Sequence, residues 1–288
     1  MPGAITKKAS AGRSAGSKGR KPGSRSGGKK RKSGKKRITV PAWAAIALAA
    51  VLIGAFIVLP WLRDDSRKPG EGGDSIPSIQ FSSIGIDISH NNKGPIIWDS
   101  LMVLVDRSGR TIRNLSKASR VIPVRFVFIK ATEGAGMKDP EFKNNWKEAG
   151  RTEISRGAYH FFRSSKDGEI QAKNFISAVG DLRHSDLAPV LDIETMHRGC
   201  SRKTLNERAL QWLKAVEKHY GRKPIVYTSE SFARDILNSD ITDNYPIWVA
   251  HYGVDSPERE EWEYWQFTDK ALVYGMPEPV DMSIRRQK

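Results

Sequence analysis

Between residues 84 and 237, short apolar runs of strand length alternate five times with segments of helical character. After residue 237 the helical pattern stops and three more strand-like runs follow. The strand-like runs are 84–89, 124–129, 157–162, 188–194, 224–228, 247–250, 263–267 and 280–282. The segments between them read as helices at 98–105 with 111–119, then 139–150, 168–179, 201–220 and 230–237. Asp139 is the expected N-cap of the second, with Pro140 at its first position; Ser201 and Gly221 bracket the fourth. Alternation of this kind means parallel strands joined by crossovers, and eight strands suffice to close a barrel. The expected fold class is therefore α/β, five β-α units followed by three strands, over a domain of residues 83–288.

The rest of the chain divides by composition. Residues 1–37 carry 14 of the chain's 48 Lys and Arg and no acid. That leaves 34 bases against 32 acids, so a basic tail precedes a nearly neutral domain. The tail has almost no large apolar residue and cannot offset its ordering entropy, so it is expected to be disordered. Residues 42–59 are eighteen without a charge. Extended to 38–61, with Trp43 and Trp61 near its ends, the stretch is long enough to span a bilayer as one helix. The basic tail then reads as the positive-inside flank of a signal anchor. The expected topology is single-pass in the cytoplasmic membrane, N-terminus cytoplasmic, with the barrel on the periplasmic or extracellular side. A cleaved signal peptide fits less well, given the long basic region and no small-x-small site before Leu62. Nucleic-acid binding by Lys29 to Lys32 is the rival use of the tail, weakened by the adjacent apolar span; no nucleic-acid partner is expected. Residues 62–82, rich in Gly, Pro, Ser and charge, read as a linker. The single Cys200 excludes an internal disulfide and a cysteine metal cluster.

The fourth strand-like run, Pro189-Val190-Leu191-Asp192-Ile193-Glu194, ends in two acids two residues apart, which a strand points the same way. The C-terminal ends of parallel barrel strands share one mouth, where active sites sit. Strand by strand, that mouth collects Asp87, then Lys130 and Glu133, then Tyr159 and Phe161, then Asp192 and Glu194, then Tyr227, then Trp248 with Tyr252 beyond it, then Trp265 and Gln266, and last Asp281. The first and eighth strands close the barrel, so Asp87 and Asp281 are expected to be neighbours.

These motifs resemble those of glycoside hydrolase family 25, the lysozymes of peptidoglycan. The resemblance covers roughly residues 84–283. It is carried by Gly85-Ile86-Asp87-Ile88-Ser89, by residues 126–134 (FVFIKATEG), by residues 157–162 (GAYHFF), by Pro189 to Glu194, by Tyr264-Trp265-Gln266-Phe267 and by Val280-Asp281. It implies a flattened, TIM-like barrel of five β-α units plus three strands, and β-1,4-N-acetylmuramidase activity on peptidoglycan glycan strands with no cofactor. It places the general acid on Glu194 and the second carboxylate on Asp192, with Asp87 and Asp281 completing the acid cluster. The sequence departs from the family pattern at His90-Asn91-Asn92-Lys93-Gly94, at a long segment 102–120 and at Met282-Ser283.

Glycoside hydrolysis needs a proton for the leaving oxygen and a group that stabilises an oxocarbenium-like centre. A carboxyl among apolar and like-charged neighbours keeps its proton; one sharing hydrogen bonds or water stays ionised. Glu194 is expected in the first state and Asp192 in the second. Their Cα atoms, about 6.5–7 Å apart on a strand, are compatible with retaining or inverting outcomes. The resemblance favours net retention assisted by the substrate's 2-acetamido group, with Asp192 or Asp281 orienting the amide. Tyr159, Phe161, Lys130, Glu133, Tyr227, Trp248, Tyr252 and Gln266 are the candidate substrate contacts, with Trp265 a weaker aromatic candidate. His160 should face away from the mouth. Cys200 beside His197 lacks a third orienting residue and is read as incidental. A metal could also occupy four acids, but the aromatic lining favours sugar, and no metal is expected. The rival function is a glycan-binding module on the same barrel with its catalysis lost.

Overall fold

In the computed structural model, described for residues 73–287, eight strands close a barrel. In chain order the elements begin with β1 (Phe81–Ile88), β2 (Met102–Val105), β3 (Thr111–Ile112) and β4 (Arg120–Pro123). Next come β5 (Phe126–Glu133), β6 (Met137–Lys138), α1 (Phe142–Ala149), β7 (Ser155–Phe161) and α2 (Gly168–Val179). Then follow β8 (Val190–Asp192), α3 (Arg202–Tyr220), β9 (Ile225–Ser229), α4 (Glu230–Asp235) and α5 (Ser239–Thr242). The last three strands are β10 (Ile247–Ala250), β11 (Tyr264–Ala271) and β12 (Val280–Arg286). The sheet runs β1-β12-β11-β10-β9-β8-β7-β5, and β1 pairs with β5 to shut it; β6 is a hairpin return on β5.

The barrel is mixed. β1, β5, β7, β8, β9, β10 and β11 are parallel to their neighbours among themselves, whereas β12 runs antiparallel to both β11 and β1. A parallel eighth strand would have carried Asp281 away from the mouth unless it lay at the strand's end. Running backwards, β12 begins at the mouth, and Asp281 pairs directly with Asp87. The expected neighbours are neighbours for a reason other than the expected one.

Strand alternation sorts the core into two layers. Phe126, Phe128, Val190, Ile225, Tyr227, Trp248 and Tyr264 fill the barrel interior. Ile84, Ile86, Ile88, Val127, Ile129, Leu191, Ile193, Val226, Val249 and Ile284 point outward, into a larger core that includes Phe175, Trp212 and Leu213 of α2 and α3. Gly85 and Gly157 occupy inward positions because the rings of Phe126 and Phe128 need that space. A Cβ at Gly85 would lie 2.3 Å from Phe126, and one at Gly157 2.5 Å from Phe128.

The first connection departs from the reading as helices. Residues 102–123 form a three-stranded antiparallel sheet, β3-β2-β4, with short 3-10 turns at Trp98–Ser100 and Leu115–Lys117. The barrel therefore has four helical crossovers, not five. Met102 to Val105 and Arg120 to Pro123 are β-branched runs too short for a helix. The Ser108-Gly109 break is a hairpin turn, not a helix gap. Asp106 accepts from the backbone N–H of Ser108 at 2.8 Å and of Arg110 at 3.0 Å, and Gly109 takes φ 85°. Two boundaries also move. Ile76 is buried and residues 73–76 bond to 109–111, so the domain starts before residue 83. α1 starts at Phe142, and in the turn ahead of it Asp139 Oδ1 accepts the Glu141 N–H at 3.0 Å and the Asp139 carbonyl accepts the Phe142 N–H at 3.2 Å. α3 keeps its expected ends: Ser201 accepts from the Thr204 N–H, and Gly221 closes it at φ 65°.

Among the described residues no helix is long and apolar enough to cross a membrane. The expected tail (1–37), the expected span (38–61) and most of the expected linker lie outside the described residues.

Candidate active site

Inward strand positions continue past the aromatic interior to the mouth. There Asp87, Ser89, Asn91, Asn92, Lys130, Tyr159, Phe161, Asp192, Glu194, Tyr227, Trp248 and Asp281 line a cleft of about 240 Å³. All four sequence-predicted acids are in it. So are five of the eight predicted contacts: Lys130, Tyr159, Phe161, Tyr227 and Trp248.

Asp192 is the last residue of β8 and is buried; Ile193 turns outward, and Glu194 comes next as an exposed residue at the rim. The pair is thus staggered in depth rather than level. Burial holds the Asp192 carboxyl well above its ordinary range, with the Glu194 charge adding to the rise and Lys130 opposing it. Its Oδ1 has no hydrogen-bond partner among the described residues. Glu194 is also raised, by desolvation, again against the pull of Lys130. Both acids therefore hold protons more strongly than free carboxyls. The deeper one is Asp192, the reverse of the expected contrast between a protonated Glu194 and a solvated Asp192.

Asp87 and Asp281 form the second pair. Burial raises Asp87 well above the usual range, and the Asp281 charge raises it further. Gln266 Nε2 donates to Asp87 Oδ1 at 2.8 Å and opposes that rise. Asp281 is raised to about 6, first by desolvation and then by Asp269, while a hydrogen bond from Asp87 lowers it. Asp87 is thus the proton holder of the pair and Asp281 the acceptor. Gln266 is itself fixed: Tyr227 donates its hydroxyl to Gln266 Oε1 at 2.8 Å, and Tyr252 donates to the same oxygen. Gln266 is nearly fully buried, so it stands behind the cleft as the support of Asp87.

Lys130 is buried at the cleft wall, with Nζ 2.7 Å from Glu133 Oε2 and 4.9 Å from the centre of the Phe161 ring. Arg163 Nε donates to Glu133 Oε1 at 2.8 Å, and its guanidinium covers Phe161 at 4.6 Å. These two cations lower Glu133 despite its desolvation. Glu133 therefore pairs with Lys130 and Arg163 outside the cleft lining. Arg163 carries no motif signal beyond adjacency to the third strand, and Ser89 closes the first motif without a role of its own there.

The aromatics divide by strand face. Trp248 stacks on Phe128 at 4.5 Å and donates Nε1–H to Ser283 Oγ at 3.0 Å, so it is a cleft floor rather than a free platform. Tyr159 is partly open in the cleft, and Tyr252 is 45% exposed beside it. Trp265 points outward, fully buried, with Nε1–H donated to the His251 carbonyl at 2.8 Å, and is not a platform. His160 also points outward and stacks on Trp212 at 5.6 Å; burial lowers it to about 4, so it is a neutral core residue. Asp139 also accepts, through Oδ2, from the His90 ring Nδ1 at 2.6 Å and from the His90 backbone N–H at 3.1 Å, pinning the 89–92 loop to the cleft. Cys200 lies near the Ser164 carbonyl, 3.4 Å from its sulfur. Among the described residues no three His, Cys, Asp or Glu side chains form a metal-binding group.

A larger groove of about 710 Å³ lies where β10 begins and β12 ends, at the opposite end of the barrel. Its cations are engaged: Arg286 lies 3.7 Å from Glu261, and Lys223 donates to the Asn244 carbonyl at 2.9 Å. None of its acids, Asp243, Glu261 and Glu263, is buried, so the chemistry belongs to the smaller cleft.

The family model described as glycosyl hydrolases family 25 matches residues 86–276. The protein YegX of Escherichia coli (strain K12) is 40% identical over 165 residues, which cover 57% of this chain and 60% of YegX. The chain thus spans less than two thirds of that relative's length. Lysozyme M1 of Streptomyces globisporus is 32% identical over 211 residues, covering 68% of this chain and 65% of that protein. The structure of a family 25 glycosyl hydrolase from Bacillus anthracis superposes with a TM-score of 0.61 at 27% identity, covering 77% of this chain and 96% of that one.

Proposed function

The chain belongs to glycoside hydrolase family 25, and we propose that its cleft hydrolyses the β-1,4 bond between N-acetylmuramic acid and N-acetylglucosamine in peptidoglycan. The observation that carries this reading is the convergence of four carboxyls, each raised by burial, in one aromatic-lined cleft.

Glu194 is the proton donor: it sits at the rim, where a glycosidic oxygen arrives, and desolvation makes it hold its proton more strongly than a free carboxyl. Asp192 lies below it with a free Oδ1 facing no protein donor. Once substrate brings polar groups to it, Asp192 can stabilise positive charge at the anomeric carbon or orient the 2-acetamido group for attack. Asp87 and Asp281 share a proton, so together they present one negative charge and one donor to the sugar. Lys130 limits how far the two catalytic carboxyls rise, which keeps proton transfer usable. Tyr159, Phe161, Tyr227 and Trp248 provide the apolar wall, and Tyr252 extends it outward.

We also place the enzyme at the cytoplasmic membrane, anchored through residues 38–61 with the barrel on the outer side, where its polymer is. The uncharged stretch and the fourteen cations before it support this topology.

Incubation with purified peptidoglycan and mass analysis of the products tests the reaction. The wild-type chain releases fragments with new reducing ends on muramic acid. Glu194→Gln loses roughly 10²–10⁴-fold in rate while keeping its fold. Reducing ends on glucosamine, or equal inertness of wild type and variant on several peptidoglycans, would overturn the proposal.

A further inference from the structure

We infer that the three-stranded appendage β3-β2-β4 is a docking surface for the anionic headgroups of the membrane to which the chain is tethered. The inference rests on the anchored topology proposed above. Residues 107–125 contain Arg107, Arg110, Arg113, Lys117, Arg120 and Arg125 and no acid. All but Arg110 are exposed. Among the described residues none of the six forms an ion pair. Ion pairs do form elsewhere on the barrel, as at Arg156–Asp186 (2.7 Å) and Arg285–Glu263 (2.7 Å).

Strand register gathers Arg107, Arg110 and Arg120 where the chain enters the domain. Val105 pairs with Thr111 on one side and with Arg120 on the other, so the turn holding Arg107 and Arg110 and the start of β4 share one end of the small sheet. The same end receives the N-terminal segment. Gly73 N–H donates to the Thr111 carbonyl at 2.7 Å, Thr111 N–H returns to Asp74 at 3.1 Å, and Ser75 bridges Arg110. Only eleven residues, 62–72, separate this entry from the apolar stretch, and fully extended they reach at most about 40 Å. They carry three bases and three acids and are neutral, so the positive charge resides on the appendage itself. Leu115 and Val121 stand 57% and 49% exposed among the cations. Apolar side chains ringed by Lys and Arg suit a phospholipid interface, where cations meet phosphates and short aliphatics enter the headgroup layer.

The test uses the full chain and its Arg107→Gln/Arg113→Gln/Lys117→Gln/Arg120→Gln variant. Each is reconstituted in vesicles of phosphatidylcholine, with or without phosphatidylglycerol. Amide hydrogen exchange over 106–121 is the readout. With phosphatidylglycerol the wild-type segment exchanges at least about tenfold more slowly, since each cation near such a surface contributes about fivefold and two suffice. High salt removes the protection, and the variant never shows it. Both chains carry the same basic tail, so their difference reports the appendage alone. Equal exchange of 106–121 in the two lipid compositions, or equal protection of wild type and variant, overturns the inference. Alkaline carbonate extraction reads the anchor separately. Should carbonate release the chain, co-sedimentation of both chains with the same vesicles decides the docking. Weaker binding of the variant supports docking, and equal binding ends it.

Discussion

Single residues in this cleft are tuned by neighbours that sequence spacing does not place beside them. Lys130 opposes the rise of both Asp192 and Glu194. Lys130→Met removes that charge, so both carboxyls keep their protons to higher pH. Both limbs of the activity–pH profile should then move upward, and kcat/KM measured across pH checks this. An unchanged profile would mean that Lys130 does not act on the catalytic pair. Asp281 bears on stability. Its folded pKa of about 6 exceeds its ordinary 3.8, so between those values the native state holds a proton that the unfolded state has lost. Stability from this group is intact below pH 3.8 and declines as pH rises through about 6. Asp281→Asn still accepts from Asp87 and cannot ionise. It should exceed wild type by roughly 1–3 kcal/mol at pH 7, with the difference vanishing at low pH, as read by denaturant unfolding at both. The four acids were legible as strand-end residues in family motifs. The stagger of Asp192 and Glu194, the proton shared by Asp87 and Asp281, and the bracing of Asp87 by Gln266 were not, because the first depends on depth and the others on contacts across 194 and 179 residues of chain.

At the scale of elements, periodicity locates an element where that element is long or bounded by strong punctuation. α2 and α3 fall where their apolar spacing and caps place them. The 98–119 segment was misread because runs of four apolar residues fit a strand and a buried helix turn equally well. The Asp106-Arg107-Ser108-Gly109 turn was the available corrective signal. Tight strand packing makes another prediction. Gly85→Ala drives a methyl into Phe126, including its backbone carbonyl at 2.4 Å, on the pair of strands that closes the barrel. The variant should lose about 2–4 kcal/mol, seen as a lower denaturant midpoint. A loss within the noise of the midpoint would mean that β1 and β5 can separate at little cost.

Across the whole chain, the proposed topology makes one further prediction. A reporter that works only outside the cytoplasm should be active when fused after Lys288, and inactivity there with activity of a cytoplasmic reporter would reverse the orientation. The sequence alone determined the eight barrel strands, the family and the identity of the acids, because these reside in local periodicity and in short motifs that survive without knowledge of what they touch. It also marked the apolar stretch and basic tail from which the membrane topology is proposed. Tertiary structure decided how the barrel closes, with β12 reversed so that Asp281 meets Asp87. It decided that the first crossover is a basic β-appendage, and which of two acids two residues apart is buried. Those outcomes depend on strand direction, register and depth, which are set by packing between segments distant in sequence.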